Sequence, residues 1–170
     1  MFSFKIVRKL INLGPLILLY YLSISEIDSH FENYFEILSF NIQLIIIYFW
    51  VSKRPEALGS GHIFFAGLIN DVVTGFPLGL SSLSYLTVSL VATYVKNMTV
   101  NTRITTDWFT FFIAIFFSNL IFFILISNFS EIAVSVTEMS YNTFFTLIFF
   151  PFFWFLFTYY NSIITTGKNA

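Results

Sequence analysis

Long apolar runs separated by short polar segments are the feature that most constrains this chain. Hydrophobic residues make up 57% of the 170 positions and charged residues 10%, whereas soluble domains carry roughly 25% charged residues. Eight Lys or Arg and nine Asp or Glu residues are too few to give a soluble domain of this size its polar surface. The same counts argue against a charged disordered chain. They indicate an integral membrane protein, with room for about five to seven helices at roughly 20 residues per crossing.

The apolar runs predict an all-α membrane protein with six transmembrane helices in a single domain over residues 1–170. The expected spans are about 7–24, 35–52, 57–73, 78–95, 108–127 and 142–164. The first span follows a basic stretch, as in a signal peptide, but no small-residue cleavage site comes after it. We therefore interpret it as a retained helix, with a cleaved signal as the alternative. Helices are favoured over strands because the runs lack the strict alternation of a transmembrane barrel.

The positions of the charges predict the orientation of the helices. If the N-terminus is cytoplasmic, six crossings place all eight cations on the cytoplasmic side: Lys5, Arg8, Lys9, Lys53, Arg54, Lys96, Arg103 and Lys168. Only two acids, Glu56 and Asp107, share that side with them. This partition follows the positive-inside rule. It requires the weak third span to cross the membrane, and it predicts that both termini are cytoplasmic.

The segment 61–82 stands out because it combines four glycines with an acid, Asp71, at or near membrane depth. We predict a tight helix–turn–helix, with Pro77 stiffening the turn and Gly75 or Gly79 adopting a positive φ. Asp71 then has either a structural or partner-docking role, by bonding the amides of the turn, or a role in ion coupling. His62 is nine residues away and points to the opposite side of a continuous helix, so the two residues do not form a pair.

No catalytic, metal-binding or cofactor-binding residue is predicted. The chain has no Cys and two His, and it contains neither a nucleophile elbow nor a nucleotide-binding P-loop. His62 is expected to be a hydrogen-bonded residue at a helix end. We expect Asn41, Gln43 and Asn119 to bond between helices.

Two further features concern the last helices. The Phe-rich runs at 109–123 and 144–157 are apolar nearly all round, which fits exposure to lipid or to partner helices. Pro151 removes the backbone bond to the Leu147 carbonyl, and we expect a kink at this point.

One part of the chain resembles the MreD rod shape-determining family. Its hallmark is an Arg-Pro after the second helix, followed by Gly-Leu-x-x-Asp, a Gly-containing turn, Pro-Leu-Gly and an aliphatic helix. The matching positions are Arg54, Pro55, Gly67, Leu68, Asp71, Gly75, Pro77, Leu78 and Gly79. The chain departs from the pattern at Asn70, where an aliphatic residue is usual, and in its high aromatic content.

This resemblance implies a non-catalytic, multi-pass subunit of the bacterial inner membrane that takes part in cell elongation. Such a protein would dock MreC and thereby couple the MreB filament to RodA and a class B transpeptidase. The motif residues would be structural or would dock the partner, no cofactor or nucleic acid would be involved, and the fold would be similar to the substrate-binding subunits of energy-coupling-factor transporters. The alternative function is that of such a vitamin-transporter subunit. Against it, the first helix lacks the Ala-x-x-x-Ala pattern that docks those subunits.

Overall fold

The structure is a computed structural model that describes residues 2–25, 40–98, 103–129 and 135–166. Within these ranges the chain forms six α-helices and no strand. The helices are α1 (Phe2–Ile24), α2 (Ile42–Lys53), α3 (Ser60–Thr74), α4 (Leu80–Met98), α5 (Ile104–Phe129) and α6 (Val136–Thr166). A short 3-10 turn at Pro55–Ala57 follows α2. The prediction of six helices in an all-helical fold is confirmed for the described residues.

Helix α2 lies at the centre of the bundle. Every residue from 44 to 52 is buried, and α2 contacts α1, α4 and α6. The other helices form a ring around it, in which α1 contacts α3, α3 contacts α4, α4 contacts α5, α5 contacts α6 and α6 contacts α1. A helix that is apolar on all sides is buried either by protein or by lipid. For α2 the covering material is the rest of this chain.

The start of α2 differs from the prediction. Phe40 and Asn41 are not helical, and the Asn41 side chain accepts a hydrogen bond from the Leu44 amide at 3.1 Å. Asn41 therefore caps the helix instead of lying inside it, because a short polar side chain at this position satisfies an amide that has no partner within the helix. Residues 35–39 of the predicted span lie outside the described residues. Helix α2 stops at Lys53, one residue after the predicted end of the span.

The polar segments between the later helices are shorter than predicted. Helix α4 continues to Met98 and α5 begins at Ile104, although 96–107 reads as a loop in the sequence. Asp107 consequently lies in the first turn of α5, where its charge interacts favourably with the helix dipole.

Two of the described helices, Ile104–Phe129 and Val136–Thr165, are long and apolar enough to cross a membrane by themselves. Both carry exposed aromatic residues on their outer faces, as predicted for the Phe-rich runs, including Phe109, Phe112, Phe116, Phe144, Phe152 and Phe155. The six crossings of the sequence prediction stay a prediction.

The described charges separate between the two ends of the bundle. Lys53 at the end of α2 contacts Asp107 at the start of α5, and the end of α4 leads into that same start. One end therefore holds four cations, Lys53, Arg54, Lys96 and Arg103, together with two acids, Glu56 and Asp107. Asp71 and Glu138 lie at the other end, which is the arrangement predicted from the sequence for these residues.

Candidate functional site

Asp71 joins the end of α3 to the start of α4. Its side chain is fully buried. Oδ2 accepts a hydrogen bond from the Gly79 amide and Oδ1 accepts one from the Ser81 amide, each at 2.8 Å. The first amides of a helix have no acceptor within that helix and carry partial positive charge. The carboxylate therefore caps α4 from the neighbouring helix, which supports the structural hypothesis over ion coupling.

The turn between α3 and α4 depends on two glycines. Gly75 has φ 73° and Gly79 has φ 100°, so both adopt the positive φ that was predicted for one of them. The amides of Gly75 and Phe76 both donate to the Asp71 carbonyl, which ends α3. Asp71 thus organises the turn through its main chain as well as its side chain.

Gly67 lets α3 and α4 approach each other closely. A Cβ atom at this position would lie 2.4 Å from Ser82 Cα and 2.6 Å from Ser82 N, so any side chain would displace the backbone of α4. Ser82 Oγ donates to the Phe64 carbonyl at 2.9 Å. Asn70, the departure from the family pattern, donates to Ser81 Oγ at 3.1 Å and so adds a polar contact to the same interface.

The motif positions fall into two groups that the structure does not bring together. Arg54 ends α2, its amide donating to the Trp50 carbonyl at 2.7 Å, and Pro55 begins the 3-10 turn. The other positions lie on α3, α4 and the turn between them, at the opposite end of the bundle. In that second group Gly67 and Asp71 are buried, Leu68, Pro77 and Gly79 are half-buried, and Leu78 is 71% exposed.

A second polar cluster, which the sequence interpretation missed, joins α2, α5 and α6. Lys53 Nζ lies 2.7 Å from Asp107 Oδ2, and Trp154 Nε1 donates to the same oxygen at 2.8 Å. The Lys53 ammonium also lies 5.8 Å from the centre of the Trp154 ring, within range of a cation–π interaction. We call these three residues the Asp107 cluster.

Asp107 is fully buried, although the sequence suggested only an acid in a cytoplasmic loop. Close by, Tyr48 and Thr110 form a hydrogen bond between their hydroxyl groups. Oδ1 of Asp107 has no hydrogen-bond partner among the described residues. One sequence signal could have predicted this ion pair. Lys53 ends one apolar run, and Asp107 begins another on the same predicted side of the membrane.

Hydrogen bonds between helices confirm two of the three expected polar residues. Gln43 donates to the Leu22 carbonyl of α1 at 3.2 Å, and Asn119 donates to Thr143 Oγ1 of α6 at 2.6 Å. Asn41 also bonds between helices, but through its main-chain amide, which donates to Thr146 Oγ1 of α6 at 2.9 Å, while its side chain caps α2. His62 is confirmed as a hydrogen-bonded residue near a helix end, with Nδ1 3.1 Å from the Tyr20 hydroxyl.

Pro151 lies inside α6 and leaves the Leu147 carbonyl without its usual amide partner. Trp108 Nε1 of α5 donates to that carbonyl at 3.0 Å. The proline therefore creates an acceptor on the surface of α6 that α5 uses.

The polar side chains at the turn between α3 and α4 are engaged in hydrogen bonds. Within the described residues, no group of three His, Asp or Glu side chains is placed to hold a metal ion, and both oxygens of Asp71 accept amide bonds. The described motif residues on α3 and α4 thus build a rigid helical hairpin with a single exposed aliphatic side chain, Leu78, among them.

Comparison with known families gives a match over most of the chain. The model of the family described as rod shape-determining protein MreD matches residues 8–161. No curated protein matches the chain, and no solved structure does. The matched region includes all of α2 to α5 and both groups of motif residues. The chain therefore belongs to the MreD family of rod shape-determining membrane proteins.

Proposed function

We propose that this protein is a non-catalytic, multi-pass subunit of the bacterial inner membrane that docks MreC and couples the MreB filament to RodA and a class B transpeptidase. Residues 1–170 form one transmembrane domain with six crossings and both termini in the cytoplasm. The match to the MreD family across residues 8–161 carries this proposal, because that family belongs to the rod-shape system of MreB and MreC.

The separation of the described charges supports the orientation. Lys53, Arg54, Lys96 and Arg103 lie at one end of the bundle, and cations concentrate on the cytoplasmic side of membrane proteins. The turn between α3 and α4 then lies on the periplasmic side. Its position makes it available to the periplasmic parts of a partner.

The hairpin of α3 and α4 is suited to docking because it is rigid and ends in an exposed aliphatic side chain. Asp71 fixes the start of α4, and Gly67 keeps the two helices in close contact. Leu78 lies at the tip and is exposed. Binding costs less conformational entropy when the contact surface is already ordered, so we assign MreC docking to this tip.

The test compares two leucines with the same exposure. Leu78 at the tip and Leu90 on the outer face of α4 are both 71% exposed, so Leu78→Ser and Leu90→Ser remove similar apolar surface. We expect Leu78→Ser to lower the amount of MreC that co-purifies by roughly tenfold, the effect of a contact worth about 1.4 kcal/mol, while Leu90→Ser leaves it unchanged. Both variants should reach the membrane at wild-type levels. Equal MreC recovery with the two variants would exclude the tip as the docking surface.

A further inference from the structure

Helix α3 begins about halfway along its neighbour α4. Gly67 of α3 faces Ser82 of α4, and the two helices run in opposite directions from the turn that joins them. Counting along both helices from this contact places Ser60, the first residue of α3, beside Ser89. Helix α4 continues from there to Met98, which is about 13 Å further at 1.5 Å per residue. The last turns of α4 therefore have no α3 beside them.

The side of α4 that α3 leaves uncovered carries polar residues. Ser82 marks the side that contacts α3, and at about 100° per residue Thr93 lies within about 20° of it around the helix axis. Lys96 and Asn97 lie within about 60° of it, one on each side. Ser89, beside the start of α3, is buried, whereas Thr93, Lys96 and Asn97 are exposed. We call the surface formed by these three residues, with the start of α3 as its floor, the α4 recess.

The α4 recess opens towards the bilayer. Helix α3 lies between α1 and α4 in the ring of helices, so the space beyond its first residue is on the outside of the bundle. On the far side of this space, the 3-10 turn Pro55–Ala57 contacts α1 and α2. If the bundle crosses the membrane as in the proposed function, on which this inference rests, the recess lies in the cytoplasmic half of the bilayer. Its neighbours are then the lipids of the cytoplasmic leaflet.

Lys96 lies at the level of the Asp107 cluster. The hydroxyl groups of Ser84 and Ser118 bond α4 to α5. Counting along these antiparallel helices from that contact places Lys96 beside Thr106, one residue before Asp107. The cation of the recess is therefore near the cytoplasmic end of the bundle, where phospholipid headgroups lie.

The charge that remains at this level is positive. Lys53 and Asp107 neutralise each other in an ion pair. Arg54 precedes the 3-10 turn and Glu56 lies within it, so a second pair of opposite charges is close together in the chain. Among the described residues, Lys96 is in no ion pair. An anion is therefore the charge complement of the α4 recess.

We propose that the α4 recess binds the headgroup of an anionic phospholipid such as phosphatidylglycerol. The Lys96 ammonium and the Asn97 amide donate to phosphate oxygens. The Thr93 hydroxyl already donates to the Ser89 carbonyl at 2.8 Å, so it accepts from a headgroup hydroxyl. Basic side chains between membrane helices on the cytoplasmic side are a known setting for such headgroups.

The surface next to the recess favours a lipid over an acidic protein segment. Phe64 and Phe65 are exposed on the first turns of α3, further from the cytoplasmic end than Lys96. The occupant must therefore be anionic at one end and apolar along the rest of its length. A phospholipid meets both requirements, because its tails stay in the hydrocarbon while its headgroup supplies the polar partners that Lys96 and Asn97 need there.

Native mass spectrometry of the full chain in detergent tests the charge of the occupant. Dioleoyl phosphatidylglycerol and dioleoyl phosphatidylcholine are added separately, and we expect the first to bind more tightly. Lys96→Gln should weaken its binding roughly fivefold, the effect of one basic residue near an anionic lipid. Arg103→Gln, which removes another exposed cation at the same end, should leave the binding nearly unchanged. Equal binding of the two lipids, or equal losses in the two variants, would overturn the proposal.

A second pair of variants tests the location of the occupant. Thr93→Trp fills the recess without changing its charge and should also weaken phosphatidylglycerol binding. Thr105→Trp adds the same side chain at another exposed threonine of this end and should not. Losses that are equal for the two tryptophan variants would place the lipid elsewhere. Displacement of the lipid by a soluble glutamate-rich peptide would assign the recess to an acidic protein segment and overturn the proposal.

These outcomes are separable from those of the proposed function. MreC co-purification with the Leu78 and Leu90 variants reports on the hairpin tip, whereas lipid binding is measured on the purified chain at a different surface. Phosphatidylglycerol binding that depends on Lys96, together with equal MreC recovery from the two leucine variants, would uphold the α4 recess and remove the docking role of the tip.

Discussion

Two glycines of α3 show how differently the same residue type is used within one helix. Gly67 is packed against the Ser82 backbone, whereas no other helix among the described residues comes within 4 Å of where a Cβ at Gly61 would stand. The sequence predicted a role for the glycines of this segment as a group. Which helix lies against each glycine depends on how α3 and α4 pack, and that arrangement is a property of the fold.

Alanine substitution separates the two roles. Gly67→Ala should destabilise the protein by about 1–3 kcal/mol, the usual effect of overpacking a close contact. Gly61→Ala should leave stability unchanged or raise it by up to about 1 kcal/mol, since alanine favours the helix. Thermal unfolding of the purified variants in detergent measures both. A Gly67→Ala variant as stable as Gly61→Ala would show that the helices are not in close contact.

Residues with strong local preferences were predictable, and residues with distant partners were not. Gly75 or Gly79 was expected to adopt a positive φ because a short turn between two helices requires one. Asp71 reaches amides only eight and ten residues away, so bonding to its own turn was among the predicted possibilities. Lys53 and Asp107 are separated by 54 residues, and the residues around each of them do not predict that α2 and α5 bring them into contact.

The Asp107 cluster holds three helices together at one end of the bundle. Asp107 contributes from α5, Lys53 from α2 and Trp154 from α6. Breaking one member of a buried ion pair leaves the other charge without compensation, which costs more than replacing both. The effects of substituting Lys53 and Asp107 on the free energy of unfolding should therefore be strongly coupled.

A double-mutant cycle with Lys53→Met and Asp107→Asn measures this coupling. We expect each single change to lower the free energy of unfolding by about 3 kcal/mol, the low end for buried pairs because Lys53 keeps some contact with solvent. The double variant should be less destabilised than the sum of the two. Additive effects in detergent unfolding experiments would mean that the pair does not form.

A second double-mutant cycle, between Trp108 and Pro151, tests the contact between α5 and α6. Trp108→Phe should cost about 1 kcal/mol because the Leu147 carbonyl loses its donor. In a Pro151→Ala background the backbone amide of residue 151 becomes available to that carbonyl, so the same Trp108→Phe change should cost clearly less. An identical cost in both backgrounds would show that Trp108 does not compensate for the proline.

At the scale of the whole molecule, the sequence predicted the number and order of the helices because apolar runs and charge positions are properties of the chain itself. It did not predict that α2 is enclosed by the other helices or that α3 begins halfway along α4. Hydropathy shows which segments avoid water. The position of each helix along the bundle is decided by contacts between segments, such as that of Gly67 with Ser82.

The orientation can be measured with single cysteines, since the natural chain has none. A membrane-impermeant thiol reagent should label Glu138→Cys in intact spheroplasts, because Glu138 is exposed at the end assigned to the periplasm. It should label Lys96→Cys only after the membrane is opened. Labelling of both positions in intact spheroplasts would contradict the proposed six crossings.

Depletion of the protein in the bacterium that encodes it is the most direct test of its role in cell elongation. Cell shape is followed by microscopy while expression is turned off, with vitamin uptake measured in the same cultures. We expect the rods to widen and become round. Wild-type protein or Gly61→Ala should restore them, whereas Gly67→Leu, which disrupts the α3–α4 hairpin, should not. Rods that keep their shape while vitamin uptake falls would contradict the assignment to cell elongation and favour a transporter subunit.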